Sequence, residues 1–114
     1  MNLAPLPSVA AALVPDDALV LDVREDDEWA AGHIESALHV PMSDFVARFG
    51  AVSDAVGDSG RAYVMCRSGG RSAQVTQYLI GQGVDAVNID GGMQAWAGAG
   101  RPMVADGDSA AQVI

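Results

Sequence analysis

Short apolar runs of strand length alternate with segments of helical periodicity along this chain, and this alternation constrains its fold more than any other feature. The runs cover residues 19–23 (LVLDV), 62–65 (AYVM), 86–89 (AVNI) and, more briefly, 38–40 (LHV). The run at 19–23 is rich in branched residues and continuous enough to be buried on both faces, as strands of parallel sheets are. The alternation predicts an α/β fold with a parallel sheet between helices.

Helical spacing of apolar residues predicts the elements between these strands. The strongest helix spans 72–82, with Ser72 as its N-cap and Gly83 as its stop signal. Four of its residues are expected on one face: Ala73, Thr76, Leu79 and Ile80. Shorter helices are predicted over 9–13, 27–31, 43–49 and 93–97, and a turn at 58–60.

Length and charge limit the domain organisation and the class of partner. A chain of 114 residues, half of them hydrophobic, forms one domain, here predicted over 1–103 with a flexible tail at 104–114. The 15 acidic residues, against six basic ones, argue against partners that are nucleic acids or anionic membranes. The first residues lack the basic region of a signal peptide and contain prolines, which predicts a cytoplasmic location.

The single cysteine, Cys66, lies in the segment that carries the chemistry. It directly follows the predicted strand 62–65 and begins CRSGGRS, which leads into the helix predicted from Ser72. A glycine-containing loop that enters a helix at the carboxyl edge of a parallel strand directs backbone N–H groups to one point, where an anion is stabilised. Arg67 and Arg71 add positive charge beside the thiol. The pattern predicts a reactive thiolate and an anionic substrate.

A second interpretation of Cys66 is that it is a small buried hydrophobic residue at a strand end, where free cysteines are common. The glycine pair and the two arginines favour the reactive nucleophile. A lone cysteine also excludes an internal disulfide framework and a multi-cysteine metal site.

Two separated blocks of the sequence resemble the rhodanese domain in its single-domain form. The first is LVLDVREDDEWAAGHIESALHVP at 19–41, with D-V-R at a strand end, an acidic residue before an aromatic one, and G-H-I before a short strand ending in proline. The second is YVMCRSGGRSAQVTQYLIGQGVDAVNIDGGMQAW at 63–96, with the cysteine loop, a helix and a closing G-G-x-x-x-W. Order, spacing and nucleophile all agree with the family pattern.

The resemblance implies a single three-layer α/β domain with a parallel sheet of about five strands. It also implies that Cys66 carries sulfane sulfur as a persulfide. The rest of the six-residue active-site loop, which would bind the donor and surround the outer sulfur, is then Arg67, Ser68, Gly69, Gly70 and Arg71. Supporting roles are predicted for Ser72, Asp22, Arg24 and His33. No metal and no cofactor is expected.

Several polar and aromatic residues have a structural interpretation that competes with a functional one. Asp22 and Arg24 lie two residues apart at the carboxyl end of a strand, where we expect a mutual or loop-directed hydrogen bond. The acidic residues 25–28 are expected to complement a helix dipole rather than bind a cation. His33 and His39 are six residues apart, a weak zinc pattern, and the resemblance assigns His33 to ordering a loop, with a general-base role still open. The two tryptophans are expected to pack in the core or at its edge.

The leading functional hypothesis is a sulfurtransferase of the thiosulfate type. The Cys66 thiolate would attack the outer sulfur of thiosulfate or another persulfide donor and pass it to a thiol, cyanide or a sulfur-relay protein. A phosphatase or arsenate reductase is the second enzyme hypothesis, but phosphatases of that kind separate cysteine and arginine by five residues, whereas four separate Cys66 from Arg71 here. The third hypothesis is a non-enzymatic module that accepts sulfur from a partner or senses redox state.

Overall fold

A five-stranded parallel sheet forms the centre of the computed structural model, which describes residues 5–57, 60–107 and 109–114. Its strands are β1 (Ser8–Ala10), β2 (Leu19–Asp22), β3 (Leu38–His39), β4 (Ala62–Met65) and β5 (Ala86–Asp90). Its α-helices are α1 (Asp26–Ala31), α2 (Phe49–Val56), α3 (Gly70–Gly81) and α4 (Gly92–Gly98). Single turns of 3-10 helix occur at Ala11–Leu13 and Met42–Asp44. The predicted α/β fold with a parallel sheet between helices is confirmed.

The strand order β1-β5-β4-β2-β3 places β4 in the middle of the sheet. β4 pairs with β2 on one side, where Asp22 is opposite Met65, and with β5 on the other, where Asn88 is opposite Val64. Because all pairs are parallel, the carboxyl ends of β2, β4 and β5 meet at one edge of the sheet. The loop that follows β4 therefore has a neighbouring strand end on each side.

Alternate side chains of the strands fill two separate core layers. In β4, Ala62 and Val64 join the layer under α2 and α3, whereas Tyr63 and Met65 join the layer under α4 and the first 3-10 turn. The largest side chain of the second layer is Trp96, which is 4% exposed. This two-sided burial explains why the strands are almost continuously apolar in sequence.

Two predicted helices near the sheet edges were wrong. The segment 9–13 begins as strand β1, because Val9 pairs with Ile89 of β5 and the Asn88 N–H donates to the Pro7 carbonyl at 2.8 Å. The segment 43–49 contains a 3-10 turn, and the helix comes later, as α2. Its residues Val52 and Val56, four positions apart, pack against the sheet and are only 0% and 7% exposed. Their burial outweighs the tendency of Gly50 to end a helix.

The predicted helix at 72–82 is present as α3, with differences at its start and on its face. It begins at Gly70, after Gly69, which has a φ of 114° that favours glycine. Ser72 is therefore inside the helix and is not its N-cap. Leu79 is fully buried, as predicted, but Ile80 is 42% exposed, so its placement on the core face was wrong.

The segment 104–114, predicted as a flexible tail, lies against α1 where it is described. Val104 and His33 exchange two backbone hydrogen bonds of 2.8 Å, and the Gln112 N–H donates to the Ala31 carbonyl at 2.9 Å. Val113 packs against the core layer under α4. The mobility of the segment stays a prediction.

Three short stretches lie outside the described residues: 1–4, 58–59 and 108. They include most of the predicted turn at 58–60. They also include the first four residues, part of the segment from which we predict that there is no signal peptide. Within the described ranges, no helix combines the length and the apolar character needed to cross a bilayer.

We predict that Leu79→Ala lowers the free energy of unfolding by about 2–5 kcal/mol, because it leaves a cavity between α3 and the sheet. Ile80→Ala, one residue further along the same helix, should lower it by about 1 kcal/mol or less. Urea unfolding followed by circular dichroism measures both. Equal losses from the two variants would contradict the described burial of this helix.

Candidate active site

Cys66 is the first residue after β4, and the loop that follows turns back over its side chain. The residue is 1% exposed. The Gly69 N–H donates a hydrogen bond to Sγ at 3.0 Å, and the Ser72 hydroxyl donates one at 3.3 Å. The left-handed backbone at Gly69 aims its N–H at the sulfur, and the N-terminus of α3 begins at the next residue. The thiol therefore lies among donors that favour a negative charge.

Two opposing effects act on the pKa of the Cys66 thiol. Burial raises the pKa, because a thiolate is less stable away from water. Hydrogen bonds from the Ser72 hydroxyl and from the backbone N–H groups of Ser72, Gly69 and Ser68 lower it, and together they outweigh burial. The pKa of Cys66 is thus below its ordinary value, which gives a larger fraction of nucleophilic thiolate near neutral pH.

Asn88, which the sequence analysis did not select, completes the support of this sulfur. Its Oδ1 lies 2.6 Å from the Ser72 hydroxyl oxygen, and its Nδ2 donates to the Gly69 carbonyl at 3.3 Å. Ser72 has a single hydroxyl proton, so Asn88 and the sulfur compete for it. Ionisation of Cys66 favours donation to the sulfur. The available sequence signal is a polar residue within the apolar run AVNI, as Asp22 is within LVLDV.

The beginning of α4 fixes the backbone of the loop from the β5 side. The Met93 N–H donates to the Cys66 carbonyl at 2.9 Å, and the Gln94 N–H donates to the Arg67 carbonyl at 3.0 Å. A Cβ atom on Gly92 would lie 2.3 Å from the Cys66 carbonyl oxygen, and its φ is 53°. Glycine at this position therefore permits both the close approach and the left-handed backbone of the turn into α4.

Arg71, at the start of α3, is paired with Glu28 of α1. Its two terminal nitrogens donate to the two carboxylate oxygens at 2.7 and 2.8 Å. This hydrogen bonding lowers the pKa of Glu28 and raises that of Arg71. The acidic residues 25–28 fit a helix dipole by their local pattern, and no local signal in the sequence indicates this pairing across 43 residues of chain.

Arg67 has a different environment from that of Arg71. Its side chain extends from the exposed side of the loop, where Nε donates to the Ile114 backbone oxygen at 2.9 Å. With the Gln94 amide oxygen turned toward it, both terminal nitrogens donate to that oxygen at 3.2 Å. Arg67 thus contacts an amide oxygen and the backbone oxygen of the last residue given, whereas Arg71 binds both oxygens of a side-chain carboxylate. Ser68 and Gly70 are exposed on the same loop.

Asp22 and Arg24 form a buried ion pair at the carboxyl end of β2. Both side chains are 0% exposed, and the Arg24 guanidinium donates to both Asp22 oxygens, the shortest bond being 2.8 Å. The same guanidinium donates to the carbonyls of Glu28 and Gly32, at the two ends of α1's last turn. The pair is thus a structural anchor that holds α1 beside the loop.

His33 and His39 lie on opposite faces of the Trp29 ring. The ring centroids are 3.8 Å apart for His33 and 4.5 Å apart for His39, with nearly parallel planes. His33 Nδ1 lies 2.7 Å from the Trp29 carbonyl oxygen, and His39 Nε2 lies 2.8 Å from the Arg24 carbonyl oxygen. His33 therefore lies at the end of α1. Within the described ranges, neither histidine belongs to a group of three or more His, Cys, Asp or Glu side chains that could hold a metal ion.

We predict that Ser72→Ala raises the pKa of the Cys66 thiol, because it removes a hydrogen bond that stabilises the thiolate. The rate of alkylation by iodoacetamide should fall about fivefold at neutral pH and recover at higher pH. The alkylation rate is measured at a series of pH values by quenching samples over time and recording their intact mass. Ser36→Ala, at an exposed serine away from the loop, is the control. An unchanged pH profile in Ser72→Ala would contradict the role assigned to the hydroxyl.

Comparison with known proteins gives the relatives of this chain. The family model described as "Rhodanese-like domain" matches residues 6–99. YtwF of Bacillus subtilis (strain 168) is 41% identical over 88 residues, which cover 76% of this chain and 81% of the relative. A protein of Pseudomonas entomophila (strain L48) named "Thiosulfate sulfurtransferase GlpE" is 37% identical over 94 residues, covering 79% and 80%.

Solved structures agree with the sequence relatives. The rhodanese-related protein of Thermoplasma volcanium superposes with a TM-score of 0.76 at 30% identity and covers 86% of this chain and 97% of its own. SSP1007 of Staphylococcus saprophyticus superposes with a TM-score of 0.70 at 35% identity, covering 80% and 93%. The match of the family model to most of the chain, with relatives of this similarity, shows that the chain belongs to the rhodanese-like domain family.

Proposed function

We propose that this protein is a sulfurtransferase that carries sulfane sulfur as a persulfide on Cys66. The observation that carries the proposal is the environment of Sγ, which is buried yet receives hydrogen bonds from the loop and from Ser72. Such donors stabilise a thiolate before the reaction and a negative persulfide after it. The name of the Pseudomonas entomophila relative supports thiosulfate as one donor.

The transfer takes place in two steps with one covalent intermediate. First, the Cys66 thiolate attacks the outer sulfur of the donor, a new S–S bond forms, and the donor's own S–S bond breaks, so that thiosulfate leaves sulfite. A persulfide donor leaves a thiolate. Second, a thiol or cyanide attacks the outer sulfur of the Cys66 persulfide, and Cys66 leaves as the thiolate. Charge is conserved in each step.

The loop residues have distinct proposed roles in these steps. The N–H groups of Ser68, Gly69 and Ser72, which already surround Sγ, would stabilise the persulfide. Gly70 lets the chain enter α3 beside them. Arg67 is the proposed binding group for the anionic part of the donor, because its described partners carry no side-chain carboxylate.

The cellular setting is part of the same proposal. A free catalytic thiol stays reduced in the cytoplasm, where we place the protein. The excess of acidic residues supports small anions, thiols or a sulfur-relay protein as partners in preference to nucleic acid or a membrane.

We predict that the reduced protein gains the mass of one sulfur atom when it is incubated with thiosulfate and freed of small molecules. Cyanide should remove the gain, and Cys66→Ser should never show it, because the variant lacks the nucleophile. Intact-mass spectrometry without reductant measures each state. A gain in Cys66→Ser would refute the persulfide at Cys66. Loading from a partner protein but never from thiosulfate would favour the non-enzymatic acceptor module.

We predict that Arg67→Ala raises KM for thiosulfate about tenfold and changes kcat little, because it removes a charge that binds the donor without touching Sγ. Steady-state formation of thiocyanate from thiosulfate and cyanide measures both constants. Arg61→Ala is the matched control, since Arg61 lies just before β4, at the other end of the strand from Cys66. A similar rise in KM for both variants would show that Arg67 contributes only overall charge.

A further inference from the structure

Glu28 binds the guanidinium of Arg71, one of the two cations in the cysteine loop. The pair is bidentate, at 2.7 and 2.8 Å, and the Glu28 side chain is only 13% exposed. Such pairing uses both terminal nitrogens of the guanidinium, the groups that would form a fork with an oxyanion. The pairing therefore removes from the loop one of the two cations that its sequence supplies.

Contacts from two other residues hold Glu28 in this position. The Glu25 N–H donates to Glu28 Oε1 at 3.1 Å as part of a capping box at the start of α1. The buried Arg24 guanidinium donates to the Glu28 carbonyl at 3.2 Å. Since α1 and the buried ion pair position the carboxylate, a donor would have to displace a preorganised group to reach Arg71.

The groups around the attacking sulfur give it no excess of positive charge. Arg67 and Arg71 provide two positive charges, while the Glu28 carboxylate and the Cys66 thiolate provide two negative ones. The Glu25 carboxylate acts on the Arg71 guanidinium as well and raises its pKa. A site without a net positive charge offers no attraction that grows with the charge of the donor, and the chain as a whole, at −9, repels anions.

We propose that Glu28 is a specificity-determining residue, which acts through Arg71 to make the loop prefer sulfane-sulfur donors with one negative charge or none over the dianion thiosulfate. The inference rests on the proposed sulfurtransferase function and names its preferred donor class: thiosulfonates and the persulfides of thiols. A protonated persulfide reacts in a balanced step, in which the Cys66 thiolate takes the outer SH group and the donor leaves as a thiolate. Cys66 then loses that proton as its persulfide ionises.

Two donors that differ mainly in charge test the proposal: thiosulfate, with charge −2, and methanethiosulfonate, with charge −1. Both transfer the outer sulfur by breaking one S–S bond, and they leave sulfite and methanesulfinate. Glu28→Gln should raise kcat/KM about tenfold for thiosulfate and about threefold for methanethiosulfonate, because the Coulomb energy of a freed Arg71 scales with donor charge. Taking the ratio of variant to wild type for each donor cancels their intrinsic reactivity.

Salt provides a readout that a purely structural role of Glu28 would not change. The advantage of Glu28→Gln with thiosulfate should shrink as ionic strength rises, and it should shrink less with methanethiosulfonate. The matched control is Asp85→Asn, which makes the same change in net charge and also frees an arginine, Arg61, from its carboxylate. Because that pair precedes β4 and β5, away from the loop, we expect no change in donor preference.

The outcomes separate this inference from the proposed function. Failure of wild type to load sulfur from either donor contradicts the sulfurtransferase itself. Loading by wild type, with Glu28→Gln changing both donors by one common factor, overturns only the role of Glu28. If Glu28→Gln does not fold, Glu28→Asp decides, because it keeps the charge: an unchanged ratio between the donors supports the proposal, and a shift toward thiosulfate overturns it.

Discussion

The need to bury a thiol and still let it ionise is the constraint on which the rest of this structure depends. Cys66 is almost fully buried, and burial alone raises the pKa of its thiol. The compensating donors must come from groups that are already ordered, because mobile groups would lose entropy on binding the sulfur. A strand that ends directly under the first turn of a helix supplies them, since the free N–H groups of that turn have no partner within the helix. The left-handed Gly69 brings one of these groups onto the sulfur.

The central position of β4 lets the sheet hold the loop from both sides. On the β5 side, Asn88 contacts Ser72, and the first N–H groups of α4 bind the carbonyls that begin the loop. On the β2 side, the buried Asp22–Arg24 pair anchors α1, and α1 in turn carries Glu28 to Arg71. An edge strand would have one such neighbour instead of two. The parallel sheet therefore determines the electrostatics of the site as well as the position of the cysteine.

The parts of the site that the sequence predicted are those with local signals. The apolar run at 62–65, the glycines of CRSGGRS and the helical spacing after them lie within twenty residues, so their structure follows from near neighbours. The parts that it missed depend on distant partners. Strand β1 is defined by its pairing with β5, Asn88 meets Ser72 across 16 residues, and Glu28 meets Arg71 across 43. Which residues meet in this way depends on the order of strands in the sheet, and local helix or strand propensities do not determine that order.

Glu28 takes part in one interaction that is local in sequence and in one with a distant residue. Its side chain closes the capping box with Glu25, so its assignment to the first turn of a helix was physically sound. The same carboxylate also reaches Arg71, because the buried Arg24 sets the position of α1 relative to the loop. Counting arginines in the loop sequence therefore overstates its positive charge, since one of them is paired within the fold. The charge that a donor meets depends on how the sheet brings α1 and the cysteine loop together, and members of a family with identical loops can differ in it.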